Sequence, residues 1–205
     1  MIPIHVMPDT PTQTFLNVLQ QQGFAGEIDT SAAQRAVYAT DNSIYERPPQ
    51  AIVCPKHVAD LQVLTRLLAE ERFRGVVVTA RGGGTGTNGQ SLTEGIVVDV
   101  SRHMNHILSI DVAKRQVRVQ AGVVKDQLNR ALKPHGLFFA PELSTSNRAT
   151  IGGMVNTDAS GQGSCTYGKT RDHVLALKTV LWGGEVLESQ ALSEQTWRKD
   201  IAALS

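Results

Sequence analysis

Residues 81–89 read Arg81-Gly82-Gly83-Gly84-Thr85-Gly86-Thr87-Asn88-Gly89, five glycines in nine positions, just after the apolar run Val76-Val77-Val78. No other stretch limits the fold as much: a buried strand must empty into a loop made mostly of backbone. Glycine reaches positive φ and lets the backbone approach a ligand, so successive N–H groups can converge on an anion with no side chain in the way. Thr85, Thr87 and Asn88 add short hydrogen-bond donors, and Arg81 adds a permanent positive charge. A plain turn would not need this much glycine, because each one raises the entropic cost of ordering the chain. The stretch is read as a phosphate cradle.

Two formal motif matches fail on context. Gly84-Thr85-Gly86-Thr87-Asn88-Gly89 spells the G-x-G-x-x-G dinucleotide fingerprint, which must open a helix. Only Gln90-Ser91-Leu92-Thr93-Glu94 separate it from the next strand-like run at 95–100, and no helix fits there. Gly163-Ser164-Cys165-Thr166-Tyr167-Gly168-Lys169-Thr170 spells a nucleotide-triphosphate P-loop. It lacks the strand before it and the helix after it, so a polar loop is expected.

With 205 residues and 41% hydrophobic content the chain can build a substantial core. Its 20 basic and 19 acidic residues leave a net charge of +1, no footprint for nucleic acid. The N-terminal residues 1–9 lack a basic region and are broken by prolines, so no signal peptide is expected, and no apolar run is long enough to span a membrane. Cys54 and Cys165 stand outside any ligand motif, which fits reduced thiols in a cytoplasmic protein.

Periodicity places the elements. Thr10-Pro11-Thr12-Gln13 reads as a helix start, with Phe15, Leu16 and Leu19 as its apolar face and Gly23 as its stop. A strand at 51–55, a helix from 58 to about 72 and a strand at 76–80 make a β-α-β unit, whose carboxyl edge carries the glycine loop. Beyond residue 100, runs at 107–111 and 116–120 flank a charged turn and read as a hairpin; 124–133 reads as a helix and 174–181 as a strand before the Gly183-Gly184 turn. The expected class is α+β: an N-terminal helical segment (1–44), a small parallel α/β subdomain (45–100), an antiparallel subdomain with flanking helices (101–190), and an amphipathic helix at the end (191–205).

A second cluster of small polar residues runs from 141 to 161. Thr150 can cap a helix starting at Ile151, whose N–H groups and dipole would favour electron-rich ligand atoms, while Gly152 and Gly153 would admit a flat ring system.

Together the 81–89 loop, Thr150-Ile151-Gly152-Gly153 with Thr157 to Gly161, and Tyr167-Gly168-Lys169-Thr170-Arg171-Asp172-His173-Val174 resemble the flavin-binding domain of the vanillyl-alcohol-oxidase-like (PCMH-type) enzymes. The chain is most similar to the bacterial FAD-linked D-2-hydroxyacid dehydrogenases of the glycolate oxidase, D-lactate and D-2-hydroxyglutarate branch. Pro141-Glu142-Leu143-Ser144-Thr145-Ser146-Asn147 and Thr40-Asp41-Asn42-Ser43-Ile44-Tyr45 are similar to the long members that carry a fused iron–sulfur domain. The resemblance implies a vanillyl-alcohol-oxidase-like FAD-binding fold in which FAD accepts a hydride from the α-carbon of a small 2-hydroxy acid. By that resemblance Arg81, Gly82, Gly83, Gly84, Thr85, Gly86, Thr87, Asn88 and Gly89 wrap the pyrophosphate, and Pro55 lies near the adenine. Pro141, Glu142, Leu143, Ser144, Thr150, Ile151, Gly152 and Gly153 line the isoalloxazine and ribityl region, and Thr157, Asp158 and Gly161 complete the pocket. Relatives commonly carry Asn where this chain has Asp158; a carboxylate beside a diphosphate needs a partner, and Lys169 or Arg171 could supply it. Other relatives attach flavin through a histidine in the glycine loop, and this loop has none, so the FAD is expected to be noncovalent.

His103 and His106 have no third ligand nearby and are expected at the surface, with no metal site; Trp182 and Trp197 are read as packing residues. Asp172-His173 with Ser164 lacks the elbow of a hydrolase. In the resembled enzymes the metal ligands, the carboxylate-binding arginine and the base lie further along the chain. No catalytic residue is therefore assigned, turnover by this chain alone is not expected, and the substrate domain would be missing from it or supplied by another chain. A flavin-binding or partner-docking module without turnover is the alternative, and a P-loop nucleotide-binding protein a more distant one.

Overall fold

The computed structural model describes residues 8–202, with side chains to residue 198. The proline-broken start (1–7) and the last three residues of the expected terminal helix lie outside the described residues.

Helix α1 (Thr10–Gln21) buries Thr12, Phe15, Leu16 and Leu19 on one face. Its cap is Asp9, not Thr10: the Asp9 carboxylate accepts the Thr12 N–H at 2.8 Å. A carboxylate one residue upstream satisfies the first turn and also faces the positive end of the helix dipole. Strand β1 (Glu27–Asp29) and helix α2 (Ala32–Tyr38) follow, then β2 (Ala51–Cys54), α3 (Val58–Leu68), β3 (Val78–Arg81) and β4 (Ile96–Asp99). Helix α3 stops before the expected residue 72, because the chain tightens into a 3-10 turn at Glu71–Phe73 that inserts Phe73 into the core. There the Phe73 ring meets Phe15 edge to face, with centroids 5.2 Å apart.

The sheet order is β1-β2-β4-β3, with β2, β4 and β3 parallel and β1 antiparallel at the edge. β4 is slotted between the two strands of the β-α-β unit. Every residue of β2 and β4 is buried, as the centre of a parallel sheet covered by helices requires. The carboxyl ends of the three parallel strands therefore emerge along one edge, and the glycine loop leaves from it.

The hairpin β5 (Ile107–Asp111) and β6 (Gln116–Val119) turns through Arg115 at φ 54. Helix α4 (Lys125–Leu132) buries Leu128 and Leu132 against the hairpin and stops at Gly136, φ 66. Then come α5 (Ile151–Thr157), α6 (Ser164–Tyr167), a 3-10 turn at Thr170–His173, β7 (Lys178–Val180), β8 (Val186–Glu188) and α7 (Glu194–Ala202). The expected 174–181 strand shrinks to β7: its start is held by the helical turn, and β7 pairs with β8 alone. The tip of this ribbon returns to the first half of the fold, where Gln62 Nε2 donates to the Gly184 carbonyl at 2.9 Å. Trp182 and Trp197 are 64% and 53% exposed, so neither packs into the described core.

Candidate functional site

The glycine loop is held from below and from the side. Arg81 ends β3, and its guanidinium lies beneath Gly84, donating to the Thr40 carbonyl at 2.8 Å and the Tyr38 carbonyl at 3.5 Å, over the Tyr38 ring. The Asn42 N–H donates to the Gly84 carbonyl at 3.1 Å. Burial draws the Asp41 carboxyl upward, but hydrogen bonds from Ser43 and Ser91 outweigh it and hold the group below its usual range. The Asp41 carboxylate thus ties the far side of the loop to residues 41–43. Arg81, expected to charge the cradle, also frames it, since β3 delivers its side chain beneath Gly84 and beside α2.

What the loop offers is backbone. Among the described residues, the N–H groups of 82–87 donate to no protein acceptor, whereas the Asn88 N–H is taken by Gln90 Oε1 at 3.1 Å. Half-buried amides without partners are costly unless a ligand or water meets them. The other wall is residues 148–150. A β-carbon on Gly82 would run into the Thr150 hydroxyl, and one on Gly83 into the Arg148 carbonyl. Gly84, at φ 60, turns the chain over Arg81.

Helix α5 does not supply the free N–H groups expected of it. Thr150 caps it by accepting the Gly153 N–H at 3.3 Å, but Ile151 donates to the Val123 carbonyl and Gly152 to the Ala121 carbonyl, both at 2.8 Å. These bonds pin α5 to the strand-to-helix connection before α4. Gly152 is needed for that contact, since a β-carbon there would press on Ala121. Gly153 is exposed and meets open space beyond Thr150, leaving it as the α5 glycine that a planar ligand could approach.

The third motif secures the second. Thr170, fully buried, donates both its N–H and its hydroxyl to the Ala159 carbonyl. Asp158 closes α5 in the left-handed region at φ 46 and accepts the Arg171 N–H at 3.1 Å. Its carboxylate pairs with Arg171 at 3.2 Å and Lys169 at 4.0 Å, the partners its position required. Lys169, the residue that made the segment spell a P-loop, thus answers a carboxylate of its own chain. No strand feeds Gly163 among the described residues, and α6 is a single turn.

The remaining expected residues are placed as follows. Pro55 is buried at the end of β2 on the same sheet edge as the loop. Pro141 is buried, Leu143 is half-buried, and Glu142 and Ser144 are exposed. The Glu142 carbonyl lies where a β-carbon on Gly161 would fall, so 141–144 runs beside 161–163. Thr157 turns its hydroxyl back to the Gly153 carbonyl at 3.0 Å. His103 bonds to Glu27 and His106 to Gln120. Sequence reasoning passed over Arg148, which closes on the glycine loop; as the single cation between Ser144 and Thr150 it could have been noticed.

Residues 49–190 match the FAD binding domain family. The chain belongs to that family. Its cofactor is FAD, and the cradle of unpartnered amides with its glycine-tight walls fits a dinucleotide diphosphate. The chain is 63% identical over 198 residues to the D-2-hydroxyglutarate dehydrogenase of Pseudomonas putida, covering 97% of this chain and 20% of the relative. It is 60% identical to the D-2-hydroxyglutarate dehydrogenase of Escherichia coli, over 87% of this chain and 18% of that protein. In fold it is similar to alkyldihydroxyacetonephosphate synthase, with a TM-score of 0.77 at 22% identity, covering 93% of this chain and 36% of that one. The fold is the vanillyl-alcohol-oxidase-like α+β fold, and the chain spans about a fifth of the length of these two dehydrogenases.

Proposed function

We propose that the chain is the FAD-holding part of an oxidoreductase acting on a D-2-hydroxy acid, with D-2-hydroxyglutarate as the substrate of the whole protein. The run of unpartnered N–H groups at 82–87, walled by residues 148–150, carries this reading. The similarity to two D-2-hydroxyglutarate dehydrogenases supports the substrate. When bound, FAD supplies a two-electron acceptor. The chain's own residues hold it: amides 82–87 take the diphosphate, Gly153 leaves an open face for the ring, and the Asp158–Arg171 pairing keeps the adjoining loop in place. Two separate apolar clusters, one around Phe15 and Leu64 and one around Val123 and Leu128, support a division of the cradle near residue 100.

Attachment is noncovalent in this reading. The glycine loop has no histidine or cysteine, Cys54 is buried, and His173 bonds to the Tyr167 carbonyl. The substrate pocket comes from residues outside this chain, which fits the exposed apolar ribbon at Leu177, Trp182 and Leu187. A cytoplasmic location fits two unpaired cysteines. The test is a titration of the purified chain with FAD, followed by acid precipitation. Saturable quenching of flavin fluorescence and a colourless pellet are expected; no binding would sink the cradle, and a yellow pellet the noncovalent attachment.

A further inference from the structure

The cradle leaves a charge unanswered. A diphosphate is a strong anion, and backbone amides offer it only partial charges. Five fixed cations lie on or next to the segments that build the cradle: Arg81, Lys169, Arg171, Arg148 and the buried Lys125, whose backbone N–H bonds to the Ala149 carbonyl. Lys169 and Arg171 face Asp158 at 4.0 and 3.2 Å. Arg81 gives its donors to the Thr40 and Tyr38 carbonyls beneath the loop.

Arg148 is held differently. Its carbonyl abuts Gly83, fixing its backbone against the cradle, and its side chain is exposed. Among the described residues the guanidinium has one partner, the Gly83 carbonyl at a long 3.5 Å, and no carboxylate. It borders a cavity of about 280 Å³ with Gly83, Asn147 and Thr150, which gives the side chain room to swing. The guanidinium thus lies beside the glycine loop, at the Gly83 carbonyl, with most of its donors unspent, and its planar fork matches two phosphate oxygens.

We infer that Arg148 binds the cofactor's diphosphate, adding a second positive charge to that of Arg81 beneath the loop. The inference rests on the FAD reading above. Binding of FAD and of riboflavin, which lacks phosphate, is measured by fluorescence titration for the parent chain, Arg148→Ala, Arg148→Lys and the control Arg130→Ala, which removes an equal charge from the exposed face of α4. Arg148→Ala should raise the Kd for FAD about tenfold, the scale of one charge-assisted contact at an open site. It should leave riboflavin binding unchanged and flatten the salt dependence; Arg148→Lys should recover part of the loss, and Arg130→Ala should match the parent. Because the Arg148 side chain holds no element together, thermal melts should coincide. An unchanged FAD Kd in Arg148→Ala, or an equal loss for FAD and riboflavin, overturns the assignment while leaving the cradle intact. A parent chain that binds no FAD overturns the cradle itself and this assignment with it.

Discussion

Asp158 shows how one residue can be chosen by backbone and charge together. At φ 46 and ψ 51 it lies in the left-handed region, which Asn and Asp tolerate better than other residues with a β-carbon. Its carboxylate also accepts the Arg171 amide and pairs with two cations. Asp158→Asn keeps the backbone preference and an acceptor for that amide but removes a negative charge from the segment proposed to complete the FAD pocket. It should leave the melting temperature nearly unchanged, since half-exposed ion pairs contribute only about 0.2–1 kcal/mol, and tighten FAD binding a few-fold. Asp158→Ala should lose about 1–2 kcal/mol from left-handed strain; thermal melts and FAD titrations of the pair check both. The two cysteines make a second contrast. Burial, aided by the Asp99 carboxylate, pushes the Cys54 thiol from its ordinary 9.0 up to about 11, while Cys165 is exposed. A raised acid pKa in the folded state favours the fold below the unfolded value and loses that contribution as pH rises. Stability should therefore fall between about pH 9 and pH 11, with Cys54→Ala flattening the decline. In native protein a thiol reagent should label Cys165 alone, and in denaturant both; rapid native labelling of Cys54 would contradict its burial.

Among the elements, α5 matters less for what it points at a ligand than for what it ties together. Thr150, 2% exposed, caps α5 and packs its hydroxyl against Gly82. Thr150→Val, which keeps the shape and loses the acceptor, should cost about 1 kcal/mol and weaken FAD binding together with stability; Thr150→Ser should restore both. A Thr150→Val variant with wild-type melting and FAD affinity would mean that the cap does not hold the wall. The sequence shows part of this. Helices α1, α3 and α4 are legible because their apolar residues recur at helical spacing, and the β2-α3-β3 unit because its strands are continuous apolar runs. β1 and α2 are not read, being three and seven residues long with little apolar burial, although Ser31-Ala32-Ala33-Gln34 carries a capping signature. The glycine loop is legible as a cradle because glycine reports backbone geometry. The side-chain roles at Arg81, Gly152 and Arg148 are not, since each depends on which neighbour a distant segment brings within reach.

At the scale of the molecule, two halves meet at the loop, and the second is open on its outer side. The ribbons β5–β6 and β7–β8 are separate two-stranded sheets, linked by an Arg118–Glu188 pair at 3.8 Å. Leu108, Leu175, Trp182 and Leu187, on or beside these ribbons, are exposed. Such ribbons are marginal alone and gain from further strands or helices packed on them. A cofactor can be gripped from the first half and the loop, but chemistry needs more. Oxidation of a 2-hydroxy acid requires the α-carbon to be held near the acceptor, an orientation worth about 7–11 kcal/mol in the best intramolecular cases, and a base within hydrogen-bond reach of the hydroxyl. Among the described residues the candidates for such a base beside the cradle are His57, exposed two residues past Pro55, and Glu142, exposed beside Gly161, and neither is in an ion pair that would orient it. His173 bonds to the Tyr167 carbonyl at 2.7 Å with its ring against Phe139, and His103 and His106 are engaged by Glu27 and Gln120. His135 is exposed in the turn after α4. Lys169 and Arg171 face Asp158 and Arg81 bonds to carbonyls beneath the loop, whereas Arg148 beside Gly83 has a single long contact. The FAD-loaded 205-residue chain should therefore reduce no dye acceptor when given D-2-hydroxyglutarate, D-lactate or glycolate, while releasing FAD readily on dilution. Substrate-dependent, D-specific dye reduction would place a complete catalytic site within these residues.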